Sequence, residues 1–314
     1  MDSLGFFESY VAAVETGSLS SAARLRRISQ PAISQQITAL ETKYGTPLLH
    51  RTRKGVQMTK AGELLFRRAR TILAEHQDLW EDLAHLNDGI SGQIKVTTNV
   101  AFSQHIMADV MLELSRTHPE LKIILSAEDR IVDVVSEGFD LAIRAGTMGQ
   151  ENVVGRRIAS LKGVHVATPA YLDKIGRPSA PDHLITLDYI QYRAEDDAIA
   201  TPLQRGSEIV QAPIRTCLTA QLPELIMRAL LSDLGYAKTP YFMVADMIER
   251  GELEEVLPEW HPPAKDIFLI YPHRETQTQR SEVFLNAVFS RMKQATGIEL
   301  LPSIRRSLIA PKAA

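Results

Sequence analysis

Apolar positions recur at helical spacing from Leu4 to Leu86, and from Ile94 onward short apolar runs alternate with helical stretches. Leu4, Phe6, Phe7, Tyr10, Val11 and Val14 mark one face of a first helix, which Glu15 to Ser18 close. Ser18 is placed to cap a second helix containing Ala22, Ala23 and Leu25, because a serine oxygen accepts from an unpaired first-turn N–H. Ile28 and Ser29 interrupt that run. Ser29 can cap a third helix, with Pro31 in its first turn, where a missing N–H costs little. Ile33, Ile37, Leu40 and Tyr44 share one face of this helix. Gln30, Ser34, Gln35 and Thr38 fall largely on the other faces. Gly45 suits a left-handed residue just past the helix end. Two short helices around a tight break fit a helix–turn–helix, although an ordinary packed pair has the same periodicity.

The next segment sharpens the choice. Leu48 and Leu49 lead into Arg51, Arg53 and Lys54, the chain turns at Lys54-Gly55, and Val56 to Met58 return. This predicts a short hairpin, or wing, with a basic tip suited to phosphates. Three helices with a basic wing are more specific than either part alone. Thr59 is placed to cap a long helix. On it Leu65, Ile72, Leu79 and Leu86 recur every seven residues, interleaved with Ala69, His76 and Leu83. That seam predicts pairing with a second copy, unless it packs within one chain. Asn87 to Gly92 is a turn-rich hinge. Beyond it, strands are expected at Ile94–Thr98, Leu121–Ser126, Phe139–Arg144, Val164–Ala167, Leu187–Gln191, Ile214–Leu218, Leu253–Leu257 and Ile267–Tyr271. Helices are expected at Phe102–Ser115, Ile131–Ser136, Gln221–Ser232, Met243–Arg250 and Ser281–Met292. The alternation points to parallel sheets with helices on both faces. Leu301 to Ala314 reads as a loosely held tail.

Composition adds limits. The chain has 314 residues and a formal net charge of -3, with charged residues at 23% and the hydrophobic set at 45%. Residues 1–60 carry eight Lys/Arg and four Asp/Glu, a net of +4, which leaves -7 on the rest. A basic module on an acidic body suggests a polyanionic partner for the module. The single cysteine, Cys217, excludes an intramolecular disulfide and a cysteine-based zinc site. A small buried apolar side chain is its expected role. No N-terminal basic-then-apolar stretch and no membrane-length apolar run are present, so a cytoplasmic protein is expected.

With these residues in view, the chain resembles a LysR-type transcriptional regulator from about Leu4 to Lys293. The matching positions are Ala22-Ala23, Ser29 to Ser34, Ile37, Leu40-Glu41, Gly45, Leu48, Arg51 and Thr59 to Gly62. Leu49 replaces the usual Phe, and Arg26 stands where many members carry Leu. Further along, GFDLAIRAG, VATPAYLDKIGRP and MIERGELEEVL match in order, and Asp233-Leu-Gly-Tyr alters the usual Gly-x-Gly-Ile. The resemblance implies an α/β protein with an N-terminal winged helix–turn–helix at 1–60 and a linker helix at 61–89. A two-subdomain effector domain similar to periplasmic binding proteins follows at 90–296, with a tail at 297–314. Subdomain I would hold 90–162 and 267–296, and subdomain II 163–266. The implied partners are double-stranded DNA, a small-molecule effector and further copies of the chain. These copies would form a dimer through the linker helix and then a tetramer, with RNA polymerase a further partner. No cofactor, metal or membrane is implied.

For DNA, the candidate residues are Gln30, Pro31, Ser34 and Gln35 on the recognition helix. The glutamines suit adenine edges and the proline a thymine methyl. Arg51, Arg53 and Lys54 would hold phosphate or enter a minor groove. Ser18 and Ser20 stand near a helix N-terminus, where capping and phosphate contact are equal readings. For the effector, the loop from Asn99 through Ala101 and Phe102 to Ser103 would present N–H groups and a positive helix end, which favours a carboxylate. By family position, Glu128, Arg144, Gly146, Thr201, Thr219, Thr239 and Pro240 also lie near the cleft. Arg144 suits an anionic ligand or a salt bridge with Glu128, and Glu128 keeps cationic, zwitterionic and neutral effectors open. Catalysis is the competing class, but the chain carries no glycine-rich phosphate loop, nucleophile elbow or ligand-like spacing among its nine histidines. A DNA-binding protein with no responsive pocket is the third reading.

Overall fold

The computed structural model describes residues 3–52, 55–84, 90–146, 153–192, 199–272 and 278–307. The chain divides into two compact units, residues 1–92 with 133–138, and residues 93–132 with 139–314.

The first unit begins with α1 (Ser3–Thr16), α2 (Leu19–Arg26) and α3 (Gln30–Tyr44). Ser18 Oγ accepts from Ser21 N and Ser29 Oγ accepts from Ala32 N, so both predicted caps form. Between α2 and α3 the chain turns through Arg27, which is left-handed at φ 55°. Arg26 is paired with Glu8 of α1 at 2.5 Å. An ion pair thus ties α2 to α1 at the position where the family pattern carries Leu. Ile33, Ile37 and Leu40 are buried with Tyr10, Ala13, Ala22 and Leu48 in one core. Each large apolar side chain so buried contributes about 1.5–3 kcal/mol. Tyr44 departs from the expected stripe. It is exposed at the last helical position before Gly45, with the Lys43 ammonium over its ring.

The wing is the antiparallel pair β1 (Leu49–Thr52) and β2 (Gly55–Met58). Two contacts fix it. Glu41 Oε1 accepts from Leu48 N at 2.8 Å and Leu49 N at 3.2 Å, and Val56 N donates to Gly17 O at 3.0 Å. Thr59 Oγ1 caps α4 (Lys60–Ala84) by accepting from Gly62 N. The heptad positions of α4 do not form one uniform seam. Leu65 and Ala69 pack into the core of their own unit, whereas Ile72 and Leu79 are exposed. Leu86 lies outside the described residues.

The second unit contains two mixed sheets. Its elements in order are β3 (Gly92–Thr98), α5 (Val100–Phe102), a π turn (Ser103–Met107), α6 (Ala108–Thr117), β4 (Leu121–Ala127), β5 (Leu141–Ala145) and β6 (Val153–Leu161). Next come β7 (Gly163–Ala167), α7 (Pro169–Ile175), a 3₁₀ turn (Pro181–Thr186), β8 (Asp188–Tyr192), β9 (Ala200–Arg205), β10 (Glu208–Pro213) and β11 (Arg215–Ala220). The remainder is α8 (Pro223–Leu231), β12 (Tyr236–Pro240), α9 (Tyr241–Glu249), β13 (Glu254–Glu255), β14 (Lys265–Pro272), α10 (Gln279–Gln294), β15 (Ile298–Leu300) and α11 (Pro302–Ser307). One sheet has the order β15-β6-β14-β5-β3-β4 and the other β11-β8-β12-β7-β13, and β9 with β10 forms a separate antiparallel pair.

Three expectations are corrected here. The sheets are not purely parallel. Parallel pairs join β3 to β5, β11 to β8 and β8 to β12, but β14 runs antiparallel to β5 and β6, and β7 antiparallel to β12 and β13. Return strands from later in the chain complete both sheets, so the strand–helix alternation along the sequence does not set every direction. Ile131–Ser136 is not a helix. Asp133 Oδ1 accepts from Val135 N and Ser136 N and Glu137 N donates to Asp133 O, but this single turn ends at once at Gly138, which is left-handed at φ 66°. The chain past residue 296 is not a loose tail throughout. Ile298–Leu300 pairs with β6 as an edge strand, and Ile304 on α11 is buried.

Candidate functional site

The helix–turn–helix presents its polar positions outward. Gln30, Pro31, Gln35 and Thr38 are exposed on α3, and Ser34 is half-buried. Since Ile33, Ile37 and Leu40 anchor the opposite side, the exposed side chains cannot rotate inward without exposing the core. Ser18 is half-buried in its capping role, whereas Ser20 is exposed in the first turn of α2. Arg51 lies on β1, beside the turn, and Arg53 and Lys54 lie outside the described residues. Sequence reasoning missed Glu41 as a positioning residue. Its carboxylate holds the start of the wing against the recognition helix, and its signal in the sequence was its place in the Leu40-Glu41 match to the family pattern, four residues before Gly45.

In the second unit, Asn99, Glu128 and Arg144 meet at the carboxyl end of β3. Asn99 precedes the first helical turn without a side-chain cap. Its amide instead donates to Asp129 Oδ1 at 3.0 Å and its oxygen accepts from Ala145 N at 2.8 Å. The helix starts at Val100, earlier than expected, so Ala101, Phe102 and Ser103 are helical rather than in a loop. Phe102 is buried, with its ring 6.2 Å from that of Phe242, and His105 meets the same ring edge-to-face at 5.7 Å. Ser103 Oγ donates to Val100 O.

Arg144 is engaged within the protein. Its guanidinium donates to the backbone carbonyl of Glu128 and, at 2.7 Å, to Thr97 Oγ1. The alternative of a salt bridge with the Glu128 carboxylate is not what forms, because that carboxylate pairs with Arg130 at 2.5 Å and accepts from Ser126 Oγ at 2.6 Å. Gly146 adopts φ 106°, which favours glycine, and its N–H donates to Asp266 O. Thr201 is buried on β9, with no hydrogen-bond partner for its hydroxyl among the described residues. Thr239 is buried on β12 and its hydroxyl meets Met243 Sδ at 3.5 Å, and Pro240 ends that strand ahead of α9. Thr219 is exposed on the edge strand β11.

Two residues that the sequence did not single out complete this region. Asp129 follows Glu128, and its Oδ2 accepts from the Tyr192 hydroxyl at the carboxyl end of β8. That hydrogen bond joins the two sheets. In open α/β sheets, ligands bind at carboxyl ends of strands where the topology reverses. Cys217 is exposed rather than buried, and its thiol donates to Tyr189 O. Among the described residues no group of three or more His, Cys, Asp or Glu is arranged to hold a metal, and no helix is long and apolar enough to cross a membrane.

Comparison with known proteins accounts for both units. The family described as the bacterial regulatory helix–turn–helix protein, LysR family, matches residues 4–63, and the LysR substrate binding domain matches residues 87–293. The uncharacterised HTH-type transcriptional regulator YhjC of Escherichia coli K12 is 28% identical over 296 residues, covering 94% of this chain and 99% of its own. The HTH-type transcriptional activator AaeR of the same organism is 26% identical over 289 residues, covering 92% and 93%. Among solved structures, full-length LysG from Corynebacterium glutamicum with bound effector Arg has a TM-score of 0.68 at 18% identity, covering 92% of this chain and 99% of that one. Full-length AphB of Vibrio cholerae has a TM-score of 0.57 at 23% identity, covering 91% and 98%. These two structures show the fold. The named sequence relatives are transcriptional regulators rather than enzymes. The chain belongs to the LysR family, and it is a transcriptional regulator with a helix–turn–helix DNA-binding domain and an effector-binding domain.

Proposed function

We propose that α3 reads base edges in the major groove through Gln30, Pro31, Ser34 and Gln35, and that a small molecule bound at the carboxyl ends of β3 and β8 controls how the protein bends DNA or meets the promoter. The observation that carries this reading is the division of α3 into a buried apolar side and an exposed polar side, with the wing tied to it by Glu41. Glutamine can pair bidentately with adenine, while Arg51, Arg53 and Lys54 supply sequence-independent attraction to phosphate. Ser20, exposed where Ser18 is capping, is the better serine for a phosphate contact. The chain acts as an oligomer, a dimer through α4 and a tetramer in full, and RNA polymerase is a further partner at the promoter. It works in the cytoplasm, where its DNA target is.

A small organic acid is the effector class we favour. Its support is the helix start at Val100, whose first-turn N–H groups have no partner within the helix. Arg144 lends no support, because its guanidinium is directed at the Glu128 carbonyl and Thr97. The LysG structure, solved with Arg as its effector, supports the idea that this fold accepts a small molecule.

Footprinting on the DNA beside the protein's own gene, at fixed salt, with and without small carboxylates, tests the whole reading. A long protected region that shifts with one compound is the expected result, and no protection by folded protein would overturn it. The Gln35→Ala variant is expected to relax sequence choice at one base pair by roughly 1–3 kcal/mol. An equal loss on every sequence would remove Gln35 from base readout.

A further inference from the structure

Two kinds of contact join subdomains I and II near the candidate effector site, and they differ in how they tolerate movement. Beside the chain crossover at Lys162, Phe242 packs its ring on Phe102 and His105, Lys162 lies 4.2 Å over the Tyr241 ring, and Tyr241 N donates to Lys162 O. Apolar ring packing is short-ranged but not sharply directional, so it suits a pivot. At the strand ends the contact is polar and directional. Asn99 Nδ2 donates to Asp129 Oδ1, and the Tyr192 hydroxyl donates to Asp129 Oδ2. Asn99 is itself fixed by Ala145 N, so the carboxylate is oriented from subdomain I before Tyr192 reaches it. An O–H donor on an ionised carboxylate makes one of the stronger hydrogen bonds available, yet a small change in angle or distance breaks it.

We infer that the chain Asn99–Asp129–Tyr192 is a latch across the effector cleft. It holds subdomain II against subdomain I when no effector is bound, and binding exchanges the Tyr192–Asp129 hydrogen bond for contacts to the ligand. The inference rests on the reading of this cleft as the effector site, and it assigns that site its means of control. Tyr192 and Asp129 are therefore positioning residues, acting through the angle between subdomains.

The test uses the full chain in a Cys217→Ser background, with spin labels at the exposed positions Glu120 in subdomain I and Lys174 in subdomain II, diluted with unlabelled chains. Distances are measured without added ligand. Tyr192→Phe keeps the ring and removes only the hydroxyl. It is expected to lengthen or broaden the distance between labels, with thermal unfolding close to that of the parent. Asp129→Ala is expected to do the same, and serves if the tyrosine variant does not fold. Asp129→Asn, which keeps an acceptor for the hydroxyl, is expected to fall between. A parental distance distribution in both Tyr192→Phe and Asp129→Ala overturns the latch. Footprinting of the same variants separates the two ideas. An opened cleft with a changed footprint supports latch and effector control together. An opened cleft with an unchanged footprint supports the latch and overturns the reading of this cleft as the control site.

Discussion

Gly62 shows how a single hydrogen in place of a methyl group holds a junction together. A Cβ at this position would lie 2.1 Å from Leu48 O and 2.7 Å from the Tyr10 hydroxyl. Neither atom is free to withdraw, since Leu48 N is bound by Glu41, Leu48 O accepts from Thr59 N, and Tyr10 is fully buried. Gly62→Ala is therefore expected to cost about 1–3 kcal/mol, as overpacking does elsewhere. Urea unfolding would show this as a lower midpoint at unchanged slope, and a parental midpoint would mean that the start of α4 can slide. His165 makes a different residue-scale case. It is buried among Tyr189 and Tyr236, and neither ring nitrogen has a hydrogen-bond partner among the described residues. Burial, aided by the Lys238 and His261 charges, lowers its pKa from 6.5 to about 3. The unfolded chain then binds a proton below about pH 6.5 that the folded chain refuses, so stability falls as pH drops from there towards about 3. The slope from this group approaches about 1.4 kcal/mol per pH unit. His165→Phe is expected to flatten the loss of stability between neutral pH and pH ~5.5 relative to the parent, as the difference in urea midpoints would read. Parallel curves for the two proteins would show that His165 is protonated in the fold.

At the scale of elements, legibility depended on whether local chemistry or distant pairing decided the structure. Both helices of the helix–turn–helix were readable because Ser18, Ser29, Pro31 and Gly45 act on their own neighbours. Ser29→Ala is expected to cost roughly 1 kcal/mol by leaving the Ala32 N–H unpaired, read as a lowered unfolding midpoint and weaker DNA binding. No change in either would show that water caps α3 equally well. The strand β6 gave no clear signal, because Gly155, Arg156 and Arg157 break the apolar alternation. It is a strand because β14 and β15 pair with it on either side. The hairpin of β9 and β10 was equally hidden, with Pro202 and Pro213 within it and its register set by partners such as Leu203 and Val210. The same division governs the candidate site. Asn99 was readable from its place at a strand end, whereas Asp129 and Tyr192 lie 63 residues apart and acquire meaning only when the two sheets meet. Arg144 illustrates the converse. As a cation at a cleft it invited a ligand, but Thr97 and the Glu128 carbonyl, which no spacing rule connects to it, already engage it.

For the whole molecule, the distribution of charge and of exposed apolar side chains argues that the DNA-binding unit works in more than one copy. Residues 1–60 carry a net +4 while the remainder carries -7, so the attraction to phosphate is concentrated in a small module and is modest for one copy. On α4, Leu65, Phe66, Ala69 and Leu73 are committed to the core of their own unit, but Ile72 at 43% and Leu79 at 54% exposure are left facing outward. Seven residues separate these two, the spacing at which one helix meets a second copy of itself. Pairing through this stretch would place two recognition helices on one protein and convert the second binding event into an intramolecular one. The gain from such linkage is typically 10²–10⁴-fold, well beyond what either module adds in contacts. Leu79→Glu puts a charge on the pairing face without touching the winged-helix core. It is expected to lower the sedimenting mass and to reduce affinity for a two-half-site operator by about 10²-fold or more, while affinity for an isolated half-site stays near the parental value. An unchanged mass would assign oligomerisation to another surface. A lower mass with parental affinity on the full operator would mean that one recognition helix suffices, which a module of so little net charge makes hard to achieve at physiological salt.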